Sequence, residues 1–173
     1  MPLFSFEGTS PKVDQSAWIA PNATVIGDVT VEADASIWYG VVIRADFGPI
    51  VIRAGANIQD NAVIHTNGDG VVEIGAGATI AHSVVMHGTS VGEQSIVGNG
   101  AVVQDGARIG RRCMVGAGAL IAPGTVVPDE TLAVGAPAKE FKPLSTTATA
   151  WIDLNPGVYQ ELARRHRDGA KPL

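Results

Sequence analysis

A period of six governs this chain. Every sixth residue from Val85 is a β-branched aliphatic: Val85, Val91, Val97, Val103, Ile109, Val115, Ile121 and Val127. Four residues after each of the first seven stands a small side chain: Thr89, Ser95, Ala101, Ala107, Cys113, Ala119 and Thr125. Neither a helix, with a period of 3.6, nor an ordinary strand, with a period of two, predicts this spacing. A short strand, a corner and a second short strand do. The branched residue points inward, and the small one fits where the interior narrows. Gly92, Gly98, Gly110 and Gly116 ease the backbone at the bend. Three hexads close one coil of about 18 residues, so the expected fold is an all-β solenoid, a triangular parallel β-helix. Cys113 is then a small interior filler.

Upstream the period persists with slips. Ile19, Val25, Val31, Ile37 and Ile43 keep step; a nine-residue step leads to Ile52, Ile58 and Ile64. A ten-residue step, carrying the loop 66–70, leads to Ile74 and Ile80. Slips in a solenoid mark loops that leave the wall, and such loops tend to line binding faces. Both slips flank the polar stretch 57–65. The solenoid is expected to fill residues 1–144. A linker and a helix occupy 145–173, with Asn155 as helix cap, Pro156 at the first helical position and an end near Arg167. Arg164, Arg165, His166 and Arg167 on that helix are assigned to solvent.

Composition removes several classes of function. Twelve Lys+Arg against 17 Asp+Glu leave a net charge of −5, so nothing favours nucleic acid. No apolar run approaches the ~20 residues that span a bilayer. The opening residues lack the basic start and apolar core of a secretory signal, and one cysteine forms no internal disulfide. The expected compartment is the cytoplasm.

Chemistry concentrates in three histidines. His65 follows Ile64, and His87 follows Met86, 22 residues later. Removing the four extra residues of the ten-residue step leaves one coil, so the two imidazoles should stack about 4.8 Å apart on one face. Two neutral imidazoles at that spacing suit one metal ion. His82 lies around a corner and reaches the same ion most simply from a second copy of the chain, which suggests a homotrimer with the ion at the subunit seam. Asn57 and Gln59 share a parity, with Asp60 beside them, and place side-chain amides near a metal-bound water. Arg44 and Asp46 also share a parity and are expected to pair.

Taken together, the hexads, Arg44-Ala45-Asp46, Asn57-Ile58-Gln59-Asp60, His65, the His82-to-His87 spacing and Gly135-Ala136-Pro137-Ala138-Lys139 resemble the gamma-class carbonic anhydrase family. Residues 44–48 and 55–65 look especially like its phenylacetate-degradation and carnitine-operon branch. The resemblance implies a left-handed β-helix and a homotrimer. It also implies Zn²⁺ (with Fe²⁺ or Co²⁺ as alternatives) held by His65 and His87 of one chain and His82 of the next. It further implies Gln59 near the metal water, Asn57 and Asp60 in support, Arg44 and Asp46 at the interface, and Tyr159 as the tyrosine of the terminal helix. The implied reaction is reversible hydration of CO₂ to bicarbonate, because an ion held by three imidazoles makes water acidic enough to supply hydroxide near neutral pH. Two departures bear on rate. Phe47 stands where the best-studied members carry glutamate, and the loop after His65 is short, with Asp69 its one acid. Alternatives are a metal-dependent acyl-CoA thioesterase or accessory protein, and a hexapeptide-repeat acyltransferase or scaffold.

Overall fold

The side chains that fill the coil interiors decide where the strands lie. In the computed structural model, which describes residues 3–68 and 70–172, Ile37, Ile43, Ile52, Ile58, Ile64, Ile74, Ile80, Val97, Val115 and Ile121 are all fully buried. Each sits on a strand of two to eleven residues, paired in parallel with the coils before and after it, except that Leu120–Ile121 ends its sheet and pairs only with Val102–Val103. The winding is a left-handed parallel β-solenoid of about seven turns followed by one helix. Burying each such aliphatic is worth roughly 1.5–3 kcal/mol against leaving it in water, so the repeat itself supplies the core.

The prism has three faces. The first carries Val63–His65, Val85–His87, Val102–Val103 and Leu120–Ile121. The second carries Val72–Ile74, Ser90–Val91, Arg108–Ile109 and Val126–Val127. Thr24–Val31 and Val42–Ile52 run on around the corner and join these faces into one sheet. The third face stacks Trp18–Ile19, Ser36–Ile37, Asn57–Ile58, Thr79–Ile80, Ile96–Val97 and Met114–Val115. Thr131–Gly135 continues it, and Ala138–Pro143 folds back antiparallel to close its end. Arg53 clips coils together by donating to Glu32 (2.7 Å) and through two bonds to Glu73 (3.0 Å each).

Four expectations change, the last of them at His166 in the terminal helix. Val85 points outward, 42% exposed, and Met86 fills the interior in its place. Seventeen residues then separate Val91 from its partner Ile74, so this coil is one residue short. The glycines that follow the aliphatics serve coil stacking more than bending. A methyl on Gly75 would lie 2.5 Å from the Glu93 nitrogen, and one on Gly92 would lie 2.6 Å from that of Arg111. Third, the helix spans Thr146–Gly169, with the Ser145 hydroxyl accepting from the Ala148 amide as its cap. Asn155 is no cap; it is buried inside the helix, because its side chain is held by the third face.

The helix packs along the third face. Arg112 pairs with Asp153 at 2.8 Å, and Arg167 donates to the Ser16 carbonyl. His166 is not a solvent residue. Its Nδ1 lies 3.0 Å from the Tyr39 hydroxyl, and its ring sits 5.0 Å from Trp38 and 5.6 Å from Trp18. Cys113 is fully buried, its thiol donating to the Pro128 carbonyl at 2.9 Å.

Candidate metal centre

Parallel pairing puts His87 directly opposite His65, and His65 opposite Arg44, in one outward column of the first face. The two imidazole rings stand 4.9 Å apart, centre to centre, at 62°. Behind each ring is a carboxylate from an adjoining coil. Asp46 Oδ1 lies 2.7 Å from His65 Nε2, and Asp105 Oδ1 lies 2.6 Å from His87 Nδ1. A neutral ring that donates one N–H to a carboxylate keeps its other nitrogen as a lone pair, the usual arrangement behind metal-ligating histidines. Burial pushes the Asp46 carboxyl up, but hydrogen bonds from His65 and Arg44 outweigh it and hold the group below the usual range. Arg44 and Asp46 form the expected pair. Phe47 projects into solvent with its ring 5.8 Å from that of His65. Asp69, the acid in the loop after His65, lies outside the described residues.

A second constellation occupies the third face and the corner after it. Asn57 and Gln59 point the same way and are buried under the terminal helix. Gln59 Nε2 donates to Asn57 Oδ1 (2.9 Å), Asn57 Nδ2 donates to Thr79 Oγ1 (2.8 Å), and Asn155 Nδ2 donates to the same hydroxyl. This chain of amides fixes which way each one faces. At the corner, His82 Nδ1 meets Asp60 Oδ2 at 2.9 Å. Tyr159 leans on Trp38, ring centres 5.6 Å apart, and borders the same cavity as Gln59 and His82. Burial, and then the charge of Asp60, raise its phenol above the ordinary value of 10, so it stays protonated at neutral pH.

The candidate residues thus fall into two groups. Arg44, Asp46, His65 and His87 share the first face; Asn57, Gln59, Asp60, His82 and Tyr159 share the third face and its corner. Among the described residues of one chain, no three of His, Cys, Asp and Glu converge as a metal site. The donor chemistry nonetheless fits a borderline divalent ion such as Zn²⁺, since each of three imidazoles has its own carboxylate and a remaining nitrogen. Asp105 escaped the sequence reading although its position, 18 residues after His87, marks it as the coil neighbour. Thr79 and Asn155 escaped it because both look like ordinary repeat and cap residues.

Residues 88–123 match the bacterial transferase hexapeptide model, which comprises six repeats. Gamma carbonic anhydrase 1, mitochondrial, from Arabidopsis thaliana is 39% identical over 95% of this chain, which spans 62% of that protein's length. The carnitine operon protein CaiE of Citrobacter koseri is 38% identical, covering 96% of this chain and 85% of its own. Among solved structures, a hexapeptide transferase family protein from Anaplasma phagocytophilum superposes with a TM-score of 0.90 at 38% identity, over 94% of this chain and 96% of that one.

Proposed function

This chain belongs to the hexapeptide-repeat family, in company with the gamma carbonic anhydrases and CaiE proteins, and on that premise we propose a homotrimeric, metal-dependent enzyme that hydrates CO₂ reversibly to bicarbonate. The observation that carries the reading is the bracing of three histidines by three carboxylates: His65 by Asp46, His82 by Asp60, His87 by Asp105. Metal-ligating histidines characteristically carry such a partner on the ring nitrogen that faces away from the ion. His65 and His87 of one chain with His82 of a second would hold the ion, Zn²⁺ first, with Fe²⁺ and Co²⁺ compatible with the same nitrogens. Such an ion, when bound, supplies a water acidic enough to furnish hydroxide near neutral pH.

The chain's own residues do the rest. The three aspartates fix ring orientation and leave one nitrogen of each ring for the seam. Arg44 keeps Asp46 charged. Asn57 holds the Gln59 amide so that it orients CO₂ or bicarbonate beside His82, and Tyr159 offers a protonated phenol in the same space. Self-association is supported by the first face itself. Val42, Val63, Val85, Val102 and Leu120 form an outward apolar stripe in strand register beside the histidine column. A second copy laid on that stripe covers it from water and brings a His82 corner toward His65 and His87.

Metal analysis of protein purified without chelator, paired with stopped-flow CO₂ hydration, tests the reading. Stoichiometric metal and a rate well above that of His82→Ala are expected; equal rates refute it. The CaiE likeness and the apolar Phe47 beside His65 favour a second reading, a metal-dependent acyl-CoA thioesterase or accessory protein. Hydrolysis of acyl-CoA without CO₂ hydration selects it. Absence of metal selects an acyltransferase or scaffold instead.

A further inference from the structure

Along the third face the side chains at one register position run Ser36, Asn57, Thr79, Ile96 and Met114 from coil to coil. Ile96 and Met114 border the cavity that Trp151 and Asn155 of the terminal helix also line, so an apolar side chain suits this position. Asn57 and Thr79 take it in two adjoining coils, joined by Gln59 and by Asn155 from the helix, and all four are buried. Buried amides and hydroxyls carry a desolvation cost that an Ile or Met avoids. Packing alone does not explain them.

The four form one chain of hydrogen bonds. Gln59 Nε2 donates to Asn57 Oδ1 and Asn57 Nδ2 to Thr79 Oγ1, at 2.9 and 2.8 Å. With its oxygen accepting, the Thr79 hydroxyl has a proton to give, and the Asn155 amide stands 2.5 Å away. That spacing is short for N–H···O and within the range of O–H···O. The amide's nitrogen and oxygen ends are alike in shape. With Oδ1 toward Thr79, Asn155 accepts the hydroxyl proton, and every link runs one way, from Gln59 to the helix. Reversing the Asn57 amide would set its oxygen against a hydroxyl whose proton is already given, and its nitrogen against Gln59 Nε2.

We propose that Thr79, itself fixed by Asn155, is a positioning residue that sets which end of the Gln59 amide faces the reaction space. Gln59 lines the cavity beside His82, and with Nε2 turned to Asn57 its carbonyl oxygen is the end left for that space. An oxygen there accepts a hydrogen bond from water and leaves that water a lone pair for CO₂. An amino group there would donate instead and occupy the lone pair. The proposal rests on the reading of Gln59 and His82 as parts of a CO₂-hydrating centre, and adds to it a dependence on the docking of the terminal helix.

The test compares Thr79→Val, which keeps the shape and removes the hydroxyl, with Thr79→Ser, which keeps the hydroxyl. In ¹⁵N-labelled protein, with and without zinc, the Gln59 Nε2 proton bonded to Asn57 is expected to resonate downfield of free glutamine. Thr79→Val should lose that shift and Thr79→Ser keep it. In zinc-loaded protein, kcat for CO₂ hydration should fall about tenfold in Thr79→Val, the worth of one buried hydrogen bond, and recover in Thr79→Ser. Metal content and circular dichroism should not change. Added to Gln59→Ala, Thr79→Val should cost nothing further, because both act through one group. Asn155→Leu cuts the chain from the helix side and should move the same resonance, which keeps the test decisive if Thr79→Val does not fold. An unmoved Gln59 resonance in the folded variants, or a full tenfold loss in the Gln59→Ala background, overturns the proposal. The predicted resonance shifts in a protein that hydrates no CO₂ support the positioning role and refute the functional reading.

Discussion

From Val91 to Val127 the buried aliphatics recur every six residues without a break, whereas between Ile43 and Val91 the steps include nine, ten and five. The two stretches use the same side chains for the interior and the same parallel pairing. They differ in what they present outward. The uninterrupted coils offer small, polar and apolar residues, Val102, Leu120 and Val126 among them, with Asp105 their contribution to the candidate centre. The interrupted coils carry Arg44, Asp46, Asn57, Gln59, Asp60, His65, His82 and His87. A hexad repeat has little freedom, since any residue placed inward must fit and any placed outward faces water. Each slip re-aims the chain, and the polar side chains gather where that happens.

Substitutions in the two stretches should therefore fail differently. The largest effect is expected from His82→Ala, which removes bound metal and brings CO₂ hydration to the uncatalysed rate while circular dichroism keeps its β-solenoid signal. Ile121→Ala, in the uninterrupted coils, should do the reverse, costing about 2–5 kcal/mol in denaturant unfolding while metal content persists. Asp105→Asn crosses between the two, bracing the histidine column from a regular coil. A chelator competition titration should find metal affinity lowered about 10–100-fold. Val85→Lys plants a charge in the apolar stripe of the first face and should shift sedimentation from trimer toward monomer. The smallest effect belongs to Glu73. Hydrogen bonds from Arg53 hold its carboxyl below the ordinary 4.5, outweighing the opposite effect of burial. Its folded value is thus depressed, so its contribution is complete above 4.5 and fades as pH falls through the folded value. Glu73→Gln should flatten the acid limb of a stability–pH curve, by less than about 1 kcal/mol for so exposed a pair.

Much of this was legible in the sequence because the repeat converts sequence offset into spatial neighbourhood. His65 opposite His87, Arg44 with Asp46, and Asn57 beside Gln59 follow from counting residues around a coil. Where counting needs a fixed coil length it slips, as at Val85, since nothing local announces a coil one residue short. The helix was harder. Asn155-Pro156 has the chemistry of a helix start, and only the contact of Asn155 with Thr79, 76 residues away, shows why an asparagine is buried there. His166 likewise reads as one more polar residue among arginines until Trp18, Trp38 and Tyr39 are brought around it. Long-range packing is what a repeat count does not carry.

The terminal helix has a consequence for how the molecule comes apart. Coils that touch only their neighbours would peel one at a time from either end. This helix reaches from Arg112 back to Ser16 and gives up Asp153, Asn155, His166 and Arg167 to four different levels of the stack. It acts as a longitudinal splint, so loosening the outermost coil means lifting a rod that also spans the middle. Because it is synthesised after every coil it braces, the nascent stack stays free to fray until the splint is in place, and only then does the whole prism unfold as one unit.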